Sequence, residues 1–216
     1  MPRVCIVNAE VSGGGFPGWL QRVPGDPRTL DQGYIDATEL YAKSIGEIFA
    51  KAQITNGGPV ILFQPENELY SCTDEVDPCP DPEYMQYVED QFRNASIVVP
   101  YIVNDNNNGN FAPGTGLGEV DIYGIDSYPL GFDCANPYLW PDNGLQTDLT
   151  ETHLNHSALT PFSFIEFQGG SFDPWGGWGF AQCLELVSYE FERVFYKNNF
   201  ASAITIFSIY MTYGGR

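Results

Sequence analysis

Gly57–Tyr70 reads GGPVILFQPENELY. Gly57-Gly58-Pro59 is a turn signal, and the run Val60-Ile61-Leu62-Phe63-Gln64 that follows is apolar except at its end. A short unbroken apolar run after Gly-Pro predicts a strand buried on both faces, as parallel sheets require. Pro65-Glu66-Asn67-Glu68 comes next, so acid follows directly on core. The carboxyl end of a buried parallel strand is where α/β proteins place their chemistry. The competing reading is a strand that runs out into a solvated acidic loop. This stretch alone also leaves open whether Glu66 or Glu68 is the working acid.

The 216 residues suit one domain, 1–216, with a sizeable core. Nine basic residues face 28 acidic ones, a formal charge of −19. Such a surface repels phosphate backbones and anionic lipid, which argues against nucleic-acid or membrane partners. It suits a protein that handles a neutral substrate. No apolar run is long enough to span a bilayer. No leader peptide is visible, since Met1-Pro2-Arg3 runs straight into the strand-like Val4-Cys5-Ile6-Val7. The five cysteines, 5, 72, 79, 134 and 183, lack zinc-ligand spacing, so neither metal nor cofactor is expected. The sequons Asn94-Ala95-Ser96 and Asn155-His156-Ser157 are compatible with a secreted glycoprotein.

Outward from the opening stretch, strand and helix alternate. Strands are expected near 4–7, 60–64, 97–103, 120–128, 162–167 and 201–211. A helix near 35–52 has Tyr41, Ile45, Ile48, Phe49 and Ala52 on one face. A second begins at Asp81-Pro82-Glu83, which has the order N-cap, Pro at the first helical position, acid in the first turn; Tyr84, Val88 and Phe92 form its stripe. A third, near 180–197, carries Leu184, Val187, Phe191 and Val194. The glycine-rich loop at 13–18 lacks Gly-Lys-Ser/Thr and is no phosphate cradle. The Asn/Gly loop after Asn104 starts like a calcium loop, but Thr115 stands where a bidentate Glu belongs. His153 and His156 read as solvated loop residues. Long loops follow the strands and no internal linker interrupts the pattern. The pattern predicts an α/β fold with a parallel sheet, arranged as a (β/α) barrel. A doubly wound sheet is the alternative, but its dinucleotide fingerprint is absent.

A second strand end carries acid. Glu166 stands among Phe164, Ile165 and Phe167, and a carboxylate there costs several kcal/mol unless paired or hydrogen-bonded. One reading is a structural carboxylate satisfied by an arginine or a backbone amide. The other is a carboxylate pair with the acid near residue 68, which is the apparatus of glycoside hydrolysis. Aromatic residues, plentiful here, offer stacking faces for sugar rings.

The chain resembles the fungal-type β-galactosidases of glycoside hydrolase family 35. The stretches that carry the resemblance are Asn8-Ala9-Glu10-Val11 with GGGFPGW, ITNGGPVILFQPENE (54–68), DIYGIDSYPLGFDC (121–134), PFSFIEFQGGSFDPWGGWGF (161–180), EFERVFYKNNF (190–200) and TIFSIYMTYGG (205–215). The resemblance implies a catalytic (β/α)8 TIM barrel followed by β-rich domains. It places the acid/base on Glu68 and the nucleophile on Glu166, and makes Glu66 a supporting group. It implies galactose contacts at Asn8, Ala9, Glu10, Asn67, Tyr128 and Tyr210. It also implies a Cys134–Cys183 bridge and, more weakly, Cys72–Cys79.

The chain departs from the family in places. Cys5 has no family counterpart, and Ile125-Asp126-Ser127 stands where the family usually has His-Asp-Gly. The six strands correspond to strands three to eight of an incomplete barrel whose first two are missing, and the downstream β domains are expected in the full-length protein. The expected activity is that of a retaining exo-β-galactosidase acting on a terminal β-galactoside. The alternatives are a catalytically inactive truncated barrel or a galactose-binding remnant.

Overall fold

The computed structural model describes residues 1–3, 15–70, 79–173 and 175–211, grouped in two compact units, Met1–Tyr123 and Gly124–Arg216.

In the first unit α1 spans Gln32–Lys51 and α2 spans Pro82–Asn94. The α2 start is the one the sequence predicts: the Asp81 carboxylate accepts from the backbone N–H groups of Glu83 and Tyr84, and Pro82 takes the first position. Tyr84, Val88 and Phe92 are buried as expected. The face of α1 differs from expectation. Its buried stripe is Tyr34, Thr38, Ala42 and Gly46, whereas Tyr41 and Ile48 are exposed. Small residues win because the helices pack closely: a Cβ on Gly46 would lie 2.7 Å from the Ala95 Cβ.

The described strand runs of this unit pair as isolated parallel bridges, Arg3 with Gln64, Gln53 with Val60, Phe63 with Tyr101 and Ile102 with Ile122; the strand expected at 4–7 lies outside the described residues. Prolines keep them from becoming ladders. Pro59 and Pro65 flank the first, and Pro100 has no N–H to give, although its carbonyl accepts from Phe63. The run at 60–64 is not buried on both faces either, since Ile61 is exposed while Val60, Phe63 and Gln64 are buried. Phe63 is the hub of the core, its ring centroid 4.8 Å from that of Phe92 and 5.6 Å from that of Tyr101. Gln53 ties the end of α1 to the next strand. Its amide donates to the Ala50 and Ser96 carbonyls and its oxygen accepts from Val98 and Val99 N–H.

The second unit holds a parallel sheet ordered β1 (Ile125–Ser127), β2 (Ser163–Gln168), β3 (Ile206–Tyr210). Every strand pairing among the described residues is parallel, which makes this an α/β fold. α3 spans Leu149–Ser157 and contains both histidines, correcting the loop reading. His153 is buried, stacked on Phe162 at 5.0 Å, with Nε2 2.9 Å from the Thr160 carbonyl oxygen. An imidazole ring covers apolar surface well when its nitrogen meets a carbonyl, and this one spends that capacity on packing.

α4 (Phe180–Leu186) is separate from a second helical run, 189–201. That run comprises α5 (Tyr189–Phe191), a π-turn over Glu192–Tyr196 and α6 (Lys197–Ala201). Phe191 is buried as expected, but the break and the π-turn shift the rest of the stripe to Cys183, Leu186 and Phe195, leaving Leu184 exposed. Phe167 packs against Phe164, Phe191 and Phe207 at 5.0–6.1 Å between ring centroids. The Cys134–Cys183 disulfide closes a 49-residue separation. Cys79 is also disulfide-bonded, but Cys72 lies outside the described residues.

Candidate active site

The carboxyl end of the 60–64 run carries a dense polar network. Glu66 is buried, and its carboxylate meets several donors. Arg28 donates to it through Nε at 3.3 Å and Nη2 at 3.1 Å, the Tyr84 hydroxyl at 2.8 Å and the Asn67 backbone N–H at 2.8 Å. Burial, and then the Glu66 charge beside it, push the Tyr84 phenol well above its ordinary value, so it stays a donor. Tyr34 nearby is pushed up to about 12, chiefly by burial. Glu66 is thus held by an arginine, a phenol and a backbone N–H.

Glu68 differs. Its backbone lies in the left-handed region at φ 47°, uncommon for a residue with a side chain. Its N–H donates to Asn104 Oδ1 at 2.8 Å, and its Oε1 accepts from the Tyr70 hydroxyl at 2.9 Å. Asn67 accepts at Oδ1 from Asn104 Nδ2 at 2.8 Å, and the Arg28 guanidinium holds its carbonyl at 2.6 Å. Gln64 and Asn104, both 0% exposed, underlie the pair.

In the second unit Glu166 lies in β2, 4% exposed, in register with Asp126 of β1. The Tyr128 hydroxyl donates to Glu166 Oε2. The Tyr128 ring meets that of Tyr210, at the end of β3, edge-on at 6.4 Å. Three expected site residues therefore meet in this unit. Gln168, also 0% exposed, fixes the turn after Tyr128: its Nε2 donates to the Gly131 carbonyl at 2.7 Å and its Oε1 accepts from Leu130 N–H at 3.1 Å.

Glu68 and Asn67 belong to the first unit; Glu166, Tyr128 and Tyr210 belong to the second. Asn8, Ala9 and Glu10 lie outside the described residues. Within either unit taken by itself, the described residues form no group of three metal-ligating side chains. The Asn/Gly loop after Asn104 turns its acids onto backbone. Asp105 accepts from the N–H groups of Asn108, Gly109 and Asn110 and from the Tyr123 hydroxyl, and Glu119 from Gly114 and Gly116.

Sequence reasoning missed the amides Gln64, Asn104 and Gln168. A signal exists for them: each ends an apolar strand run with a polar side chain that can both donate and accept.

Residues 4–216 match glycosyl hydrolases family 35. The chain belongs to this family. It is 60% identical over 210 residues to a β-galactosidase of Aspergillus niger, 59% identical to β-galactosidase A of a Penicillium species, and 61% identical over 211 residues to a probable β-galactosidase A of Aspergillus fumigatus. Each match covers 97% of the chain and 21% of the relative, so the chain spans about a fifth of the length of these proteins.

Among solved structures, it resembles a glycoside hydrolase family 5 enzyme of Prevotella bryantii with TM-score 0.57 and 14% identity, over 99% of this chain and 64% of the other. It also resembles a β-glucanase of Saccharophagus degradans, with TM-score 0.50 and 12% identity, over 87% and 55%. At these identities the likeness concerns fold alone, and the fold is that of part of a (β/α)8 barrel.

Proposed function

We propose that this chain carries the catalytic apparatus of a retaining exo-β-galactosidase, within one barrel domain 1–216 that supplies strands three to eight. Glu166 attacks the anomeric carbon of a terminal β-galactoside while protonated Glu68 donates to the departing oxygen. Glu68 then takes a proton from the water that hydrolyses the galactosyl–enzyme, and Glu166 leaves as carboxylate. Esterifying Glu166 removes its negative charge, which releases Glu68 to act as base. Asn67 donates to the 2-hydroxyl. Asn8, Ala9 and Glu10 recognise other hydroxyls, and Tyr128 and Tyr210 line the sugar. The chemistry uses two carboxylates and a water, with no cofactor.

The observation that carries the reading is the contrast between the two acids beside Asn67. Glu66 is fully engaged by Arg28 and Tyr84, whereas Glu68 meets a single tyrosine hydroxyl among the described residues. Family membership and relatives named β-galactosidase support the substrate class. The proposed setting is a secreted glycoprotein with downstream β domains. It fits the exposed acceptor residues Asn94 and Asn155 and the Cys134–Cys183 bridge.

The test uses a full-length protein carrying this sequence and a 2-fluoro-galactoside with a good leaving group. The expected result is a trapped galactosyl adduct on Glu166 and none in Glu166→Gln. An adduct that persists in that variant overturns the nucleophile. Galactose binding without turnover of an aryl β-galactoside overturns the enzyme reading in favour of a binding remnant, and preference for glucosides overturns the substrate. Retention also requires the Glu68 and Glu166 carboxyl groups to stand about 5–5.5 Å apart in a crystal structure.

A further inference from the structure

Three side-chain amides, Gln64, Asn104 and Asn67, stand in series beside Glu68, and groups that cannot flip fix the orientation of the first two. The Arg3 guanidinium can only donate, so the Gln64 atom that it meets at 3.0 Å is the oxygen. Gln64 Nε2 then donates to the Glu66 backbone carbonyl at 2.9 Å and to Asn104 Oδ1 at 2.6 Å. Asn104 Oδ1 accepts again from the backbone N–H of Glu68, another group that can only donate. The Asn104 nitrogen is thereby turned to Asn67 and donates to Asn67 Oδ1. With its oxygen engaged, Asn67 directs its own Nδ2 out of the network.

We infer that Asn104 is a positioning residue for both members of the Asn67-Glu68 pair. It sets the polarity of the Asn67 amide, so that a donor and not an acceptor faces the sugar hydroxyl. The same oxygen holds the Glu68 N–H and stabilises the left-handed backbone that aims the acid. Asn104 is itself wholly buried and touches no sugar. The inference rests on the galactosidase reading, in which Asn67 contacts the 2-hydroxyl. The chemistry explains why an amide stands here. Aspartate would keep the contacts to Glu68 and Gln64 but would offer Asn67 only acceptors, drawing its Nδ2 inward and turning Asn67 Oδ1 to the substrate.

The test is Asn104→Asp in a full-length protein carrying this sequence, beside Asn67→Ala and the double variant, on an aryl β-galactoside and its 2-deoxy analogue. The expected result is a loss of about tenfold or more in kcat/KM on the galactoside, against about twofold on the 2-deoxy sugar. The double variant should be no slower than Asn67→Ala alone, because the two residues act through one contact. Equal losses on both sugars, or additive losses, overturn the inference, since a merely structural role lowers both alike. Neutron diffraction of the unsubstituted protein decides the polarity without reference to activity. Deuterium on the Asn67 atom turned away from Asn104 supports it, and deuterium on the atom facing Asn104 overturns it even if Asn104→Asp fails to fold. A protein that hydrolyses neither sugar removes the galactosidase reading, and the neutron map still decides the orientation.

Discussion

The two strand ends that carry acid solve the same problem by different means. In the second unit Glu166 stands inside a six-residue parallel strand, paired with a neighbour on each side although the register shifts beside it, flanked by apolar neighbours and met by a tyrosine hydroxyl. In the first unit the described strand runs pair through isolated bridges, and the acids after Pro65 are held by amides and an arginine from sequence positions far apart. A ladder aims a side chain by its pleat alone, whereas irregular backbone needs each N–H and C=O satisfied individually. Local sequence therefore describes the Glu166 end well and the Glu68 end poorly.

Removing the acids sharpens the contrast most. Glu166→Gln is expected to lower kcat by about 10³-fold or more with the sugar still bound, because no other group can form the covalent intermediate. Glu68→Gln should cost much less on an aryl galactoside whose leaving group needs no proton, and azide should restore part of the turnover. Comparing both variants on leaving groups of different acidity checks this. Equal losses across the series break the division into nucleophile and acid.

Next in size is the support beneath each acid. Arg28→Met leaves Glu66 buried without its ion pair, and the expected cost is about 2–4 kcal/mol in urea unfolding. Tyr128→Phe removes one hydrogen bond to the Glu166 carboxylate. It should change stability by less than about 1 kcal/mol while lowering kcat/KM about tenfold. If Tyr128→Phe destabilises as much as Arg28→Met, the second site is also held by a polar network, and the contrast fails.

The legibility of the chain follows the same line. The strand at 162–167, the Asp81 cap and the stripe of α2 depend on neighbouring residues only, and the structure bears them out. The family resemblance implied the Cys134–Cys183 bridge, and the structure contains it. The stripe of α1 was misread because close packing at Gly46 rewards small residues over large ones. In the stripe after Phe180 only Phe191 is buried as expected, because a break after Leu186 and a π-turn over Glu192–Tyr196 reset the helical period. His153 read as solvated because periodicity could not show the ring of Phe162. Tyr128 and Glu166 could be named from sequence. Asn104 shows in the sequence only as a polar end to an apolar run, because the groups that it holds at Glu68, Asn67 and Gln64 lie 36, 37 and 40 positions away.

The smallest expected effect concerns a buried acid remote from either strand end. Glu89, on α2, is buried, its Oε1 has no hydrogen-bond partner among the described residues, and burial pushes its pKa from the ordinary 4.5 up to about 8. The Arg93 charge works in the other direction, while Asp121, Asp90 and Glu119 add to the rise. Between these two values the folded chain holds a proton that the unfolded chain has released. The slope of stability with pH is then negative: the contribution of neutral Glu89 is fully present below about pH 4.5 and is lost as pH climbs through about 8. Glu89→Gln keeps the shape and removes the titration. It should leave stability nearly unchanged at pH 4 and raise it by about 1–2 kcal/mol at pH 8, since relaxation around the carboxylate offsets part of the burial cost. Urea unfolding of both proteins across that range checks the sign. A variant that runs parallel to the parent at every pH would show that Glu89 ionises in the fold as freely as in the open chain. The packing of α2 would then tolerate a charge without the donors that meet the buried carboxylates of Glu66 and Asp105.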